Sequence, residues 1–129
     1  MRRWGTATVE FAFSASIVFM LFLAMIEVAR FHIVRHSMDQ AVYMGAREAI
    51  VPGRTAEQAE TIVNDRLRAA GVVGSTVTIV PGVIDSTTES VTVRASADYE
   101  QNSWALPKFF GGMSVNAEIT LDHENVAFD

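Results

Sequence analysis

The residues best placed to do chemistry lie at the N-terminus. Glu10 stands at the mouth of an uncharged apolar run, Phe11 to Ile26, and Gly5 precedes it behind the basic pair Arg2 and Arg3. A carboxylate at the edge of an apolar helix is costly and calls for a role. The bland role is snorkelling toward a headgroup region, or favouring the helix N-terminus through its dipole. A sharper role needs a cut after Gly5, which would leave Thr6 with a new ammonium one helical turn from Glu10. In low dielectric such charges attract strongly, within one chain or between packed helices. A pairing of that kind would set register among stacked helices.

The remaining candidates are weaker. His32 and His36 are spaced i, i+4 on one helix, which suits a metal, but Ile33-Val34-Arg35 lies between them and no third ligand is obvious. Asp65, Asp85, Asp98, Glu100 and Asp122 are scattered and show no EF-hand spacing. There is no G-x-S-x-G, no P-loop and no acid/base pair. With no cysteine, thiol nucleophiles, Cys-ligated zinc and disulfide scaffolds are excluded. The expectation is a non-enzyme with no catalytic site, no metal and no cofactor. A formal charge of −5 argues against a nucleic-acid surface.

The elements that position Glu10 follow from the charge pattern. The 129 residues allow one domain, but they divide into unlike parts. Residues 1–54 carry six basic and four acidic side chains, net +2, and residues 55–129 carry four and eleven, net −7. Phe11 to Ala29 holds only one charge, Glu27, and as a helix spans about 28 Å, close to the hydrocarbon thickness of a bilayer. Arg30 and Arg35 then mark the far interface. The short basic N-terminus is expected on the cytoplasmic side and the acidic remainder outside.

From about Thr6 to Ile50 nothing breaks a helix; Gly45 is the only Gly or Pro within it. Past the span, Phe31, Val34, Met38, Ala41 or Val42, Gly45 and Ala49 recur at helical spacing, with Arg35, Asp39, Tyr43 and Arg47 on another side. Ala41, Gly45 and Ala49 form a small-residue stripe that lets another element come close. Pro52-Gly53 ends this helix. Thr55 with Gln58 reads as a capping box for a second helix, with Ala59, Ile62, Val63 and Leu67 on its apolar face and Gly71 at its C-terminus. The period then changes to two. Thr76–Val80, Ser90–Tyr99 and Ser114–Asp122 read as half-buried antiparallel strands. The expected fold class is α+β: a long transmembrane-to-head helix, a second short helix and a three-stranded antiparallel sheet packed on the helices. The aromatics between Glu100 and Gly112 are expected to tuck under the head.

These features together resemble the type IV pilin superfamily, and more closely the TadE-like minor pilins, or pseudopilins, of tight-adherence (Flp) systems. The stretches that carry the likeness are GTATVEF (residues 5–11), the span exit IEVAR (26–30) and QAVYMGAR (40–47). Glu27 matches the acid common at the span exit, and Gly45, Ala46 and Arg47 match the end of the family's helix motif. Tyr43-Met44 depart from it, and Ser14-Ala15-Ser16 stand where the family often has a mid-span proline. The resemblance covers about the first 50 residues. It implies a leader of residues 1–5, with Arg2 and Arg3 as its positive charges, cut by a prepilin peptidase between Gly5 and Thr6. Glu10 and Phe11 would then serve assembly, Glu10 by pairing with the new N-terminal charge. It further implies a transmembrane helix over 6–29, an exported half-helix over 30–51 and an extracytoplasmic head over 54–129. The protein would sit in a bacterial inner membrane as a single-pass chain, with other pilins or pseudopilins, an assembly platform, an ATPase and a secretin as partners.

Two other readings keep most of these features. One is an unprocessed single-span anchor carrying an acidic extracytoplasmic binding domain. The other is a soluble secreted protein released by signal peptidase, which the missing A-x-A site after the run disfavours.

Overall fold

A computed structural model describes residues 4–85, 88–105 and 111–122. Helix α1 runs from Trp4 to Ala49 without a break. At 46 residues it is about 69 Å long, more than twice the depth of a bilayer core. Its first half stands free of the rest of the chain and its second half is built into the head.

Helix α2, Ala56–Ala69, begins as its sequence requires. Gln58 N–H donates to Thr55 Oγ1 at 3.2 Å, and Thr55 N–H donates to Gln58 Oε1 at 3.1 Å, so two otherwise orphaned donors are satisfied. Ala59, Val63 and Leu67 are buried and Ile62 is half-buried, which is the apolar face expected. Gly71 takes φ of +69° just past the helix, a left-handed position that glycine adopts without a Cβ penalty.

The strands are β1 (Ser75–Val80), β2 (Ser90–Asp98) and β3 (Ser114–Asp122), in the order β1-β2-β3, antiparallel throughout. On the inner face Val93 lies between Ile79 and Ile119, and Ala95 between Val77 and Ala117. α1 packs over β2 and β3, and α2 over β1. The core therefore sits between the sheet and both helices, with Val34, Met38, Val42, Val63, Leu67, Val91 and Val93 fully buried. Small residues allow the close approach. An ideal Cβ on Gly45 would overlap Val63 Cγ2 and lie 3.4 Å from the Ala59 carbonyl oxygen. Gly45 is thus the point where the two helices touch at backbone distance.

Candidate functional site: a bare stem and its junction with the head

From Gly5 to Ile26 the side chains of α1 are exposed, apart from half-buried Ala15. The most apolar stretch of this helix has mean hydropathy 2.2, and none of it is buried within the molecule. Phe11, Phe13, Phe19, Met20, Leu21 and Phe22 all face outward. A helix apolar all round and unpacked by its own chain is fitted to lipid or to other helices. The Ser16 hydroxyl in mid-stem is satisfied by the helix itself, Oγ donating to the Ala12 carbonyl at 2.9 Å. This long apolar helix fits a single-pass membrane protein. Gly5, Thr6, Glu10 and Phe11 are all exposed on this stem, with Thr6 and Glu10 one turn apart. Nothing lies within 4 Å of the Cβ position of Gly5. Arg2 and Arg3 fall outside the described residues.

The stem ends where Glu27 is drawn into the head. Glu27 is 1% exposed despite belonging to the apolar segment. Tyr99 Oη donates to Glu27 Oε1 at 2.8 Å, and the backbone N–H groups of Ala105 and Trp104 donate to Oε2 at 2.9 and 3.3 Å. Three residues on, Arg30 is 5% exposed. Its Nε donates to the Asn102 carbonyl at 3.0 Å and its NH2 group to the Gly71 carbonyl at 2.8 Å. Its guanidinium carbon lies 4.7 Å from the centre of the Trp104 ring. Asn102 completes the cluster: its Oδ1 accepts from Val73 N–H at 2.8 Å, and its Nδ2 donates to the carbonyls of Val73 and Asp98. Burial first, and then the Glu27 carboxylate, push the Tyr99 phenol above its ordinary range.

One expectation gains detail here and one changes. Arg30, read as marking the far interface, has its side chain bound by the carbonyls of two head loops. Trp104 is not tucked under the head: it is 67% exposed, stacked on Arg30 by one face. Phe109 and Phe110, expected to tuck with it, lie outside the described residues. Sequence reasoning misses Tyr99 and Asn102 as site residues. Tyr99 closes an inward alternation through Val91, Val93, Ala95 and Ala97, and a buried tyrosine hydroxyl needs a polar partner. Glu27, the lone charge of the apolar segment, was the candidate to supply it.

Gly45, Ala46 and Arg47 fall in unlike surroundings. Gly45 and Ala46 are buried in the head, whereas Arg47 is exposed in the last turn of α1, with its guanidinium carbon 6.0 Å from the Tyr43 ring centre. His36 has Gln40 as its partner at 2.8 Å, and His32 meets the edge of Phe31.

A free apolar stem is continued into a small α+β head. The family described as TadE-like protein matches residues 5–47, which take in the stem, the Glu27–Arg30 turn and the helix as far as Arg47. Over that segment, one third of the chain, the protein is TadE-like, which supports a pilin-like protein of a Tad pilus system. That family is a structural component of the pilus rather than an enzyme family. No curated protein and no solved structure matches the chain.

Proposed function

We propose that this protein is a pseudopilin that a prepilin peptidase cuts after Gly5 and that then takes part in assembling a Tad/Flp pilus for adherence. The observation that carries this is the register of three features: an accessible Gly5, an exposed Glu10 and an unpacked apolar stem, all inside the TadE-like segment. A peptidase at the membrane surface needs a peptide bond that the head does not cover, and the head first engages α1 at Glu27. In this reading Arg2 and Arg3 stay cytoplasmic and the head is extracytoplasmic. The stem lies in the inner membrane beside other pilins, the platform and its ATPase. Gly45, Ala46 and Arg47 serve the fold: the first two admit the core contact and Arg47 complements the C-terminal end of the α1 dipole.

Mass spectrometry of the protein purified from membranes tests the central step. The expected mass lacks Met1–Gly5, with or without an added methyl on Thr6. An intact N-terminus beside an active peptidase would leave the unprocessed anchor as the reading.

A further inference from the structure

The turn Glu27–Arg30 has an unusual surface for the only charged turn near the end of an apolar stem. Both charges point inward. Glu27 receives the Tyr99 hydroxyl and two backbone N–H groups, and Arg30 donates to the carbonyls of Gly71 and Asn102. Among the described residues, Val28, Ala29, Trp104 and, held to this level through Asn102, Val73 are exposed here, with Glu100 and Gln101 exposed farther along the same loop. Neither Glu27 nor Arg30 adds a free charge to the end of the stem.

Continuity says what covers that surface. The bare stem, Gly5 to Ile26, is 22 residues, about 33 Å of helix, enough for a bilayer core about 30 Å thick. The head engages the same unbroken helix in the very next turn, 27–30, so its base lies at the outer edge of the hydrocarbon. A bare carboxylate and guanidinium there would need water at the edge of the hydrocarbon, but hydrogen-bonded within the head they do not. Trp104 has the chemistry of the boundary, an apolar body with one polar N–H, and is already exposed at this depth.

We infer that the base of the head, with Trp104 at its centre and Val28, Ala29 and Val73 beside it, is a lipid-binding collar seated in the headgroup layer, so that the head rests on the membrane rather than hanging from a linker. The inference rests on α1 spanning the bilayer, and the occupant is the phospholipid surface itself. Along α1 no exposed charge breaks the apolar surface between Phe11 and Ala29.

The test is fluorescence quenching of the full-length protein in vesicles of phosphatidylcholine and phosphatidylglycerol carrying bromines either high or low on the acyl chain. Trp4→Phe leaves Trp104 as the sole tryptophan. A second protein, Trp4→Phe/Trp104→Phe/Phe22→Trp, reports the stem. The expected result is loss of Trp104 emission with high bromines and less loss with low ones, while the stem reporter responds more strongly to the low ones. Quenching of the stem reporter with Trp104 unaffected by either lipid would overturn the collar and keep the span. Quenching of neither would remove the span and the collar together.

Discussion

The Tyr99 hydroxyl meets the Glu27 carboxylate at 2.8 Å, joining two residues 72 positions apart in the chain. The bond ties the end of β2 to the turn at which α1 ceases to be bare. Tyr99→Phe keeps the ring and its edge contact with Phe31, whose centroid is 5.2 Å away, and removes only the donor. A buried carboxylate that loses one partner costs about 1–3 kcal/mol. For a head of this size that corresponds to a fall of roughly 4–8 °C in Tm per kcal/mol. Circular dichroism melts of the detergent-solubilised protein should show it, and an unchanged midpoint would mean the bond contributes nothing net.

The same phenol gives a pH dependence of known sign. Its folded-state pKa is raised by burial and by Glu27, so the fold favours the protonated form. The stabilisation is complete below the unfolded value of about 10 and is lost as pH rises above it. In Tyr43→Phe, Tyr99 is the only tyrosine. Its absorbance titration should lie alkaline of a free tyrosine and coincide with loss of the head's structure. Tyr99→Phe should flatten the stability profile above about pH 10.

Much of this fold was legible because its signals are local. A capping box is four residues, Thr55 to Gln58, and inward alternation along β2 needs only the strand itself. A helix apolar on every side, as from Phe11 to Ile26, points to lipid by composition alone. The order β1-β2-β3 was not legible, since alternation says which face is buried but not which strand lies beside it. The junction was hidden for a related reason. Glu27, Arg30, Tyr99 and Asn102 each read as polar, but apart from the Asn102 bond to the Asp98 carbonyl their partners lie some 29 to 78 residues away. A charge near the end of a span looks like an interface marker until the fold supplies carbonyls that turn it inward.

The contact between α1 and α2 predicts the outcome of adding one methyl. Gly45→Ala places a Cβ onto Val63 Cγ2. Overpacking of this kind costs about 1–3 kcal/mol, while alanine's better helix propensity returns about 1 kcal/mol. The expected result is net destabilisation by up to about 2 kcal/mol in denaturant or thermal melts. Val63→Ala creates a cavity by itself, so the double variant should be more stable than the sum of the single losses. Simple additivity would show that the two side chains do not meet.

The cap of α2 is a smaller, cleaner test. Thr55→Ala leaves the N–H of Gln58 without its acceptor and frees the reciprocal Gln58 side chain. The expected loss is about 1 kcal/mol, with Thr55→Ser retaining most of the stability. Because Thr55 is exposed and far along the chain from the stem, neither change should alter removal of Met1–Gly5, and the mature mass should shift only by the substitution itself.

Gly5 and Glu10 separate cutting from assembly. Since nothing lies within 4 Å of the Gly5 Cβ position, Gly5→Leu leaves the fold intact, and a chain retaining Met1–Gly5 would report the peptidase's own requirement. Glu10→Leu makes the stem more apolar, so membrane insertion is preserved and only the charge is removed. Two unit charges about 4 Å apart attract by about 1 kcal/mol in water and about 4 kcal/mol at an effective dielectric of 20. A pairing between Glu10 and the ammonium of a newly exposed Thr6 therefore matters most inside the membrane, where helices stack. The expected result is near-normal processing by mass spectrometry with a sharp fall in surface pili by electron microscopy. Normal piliation in Glu10→Leu would end the pairing argument while leaving the cleavage site standing.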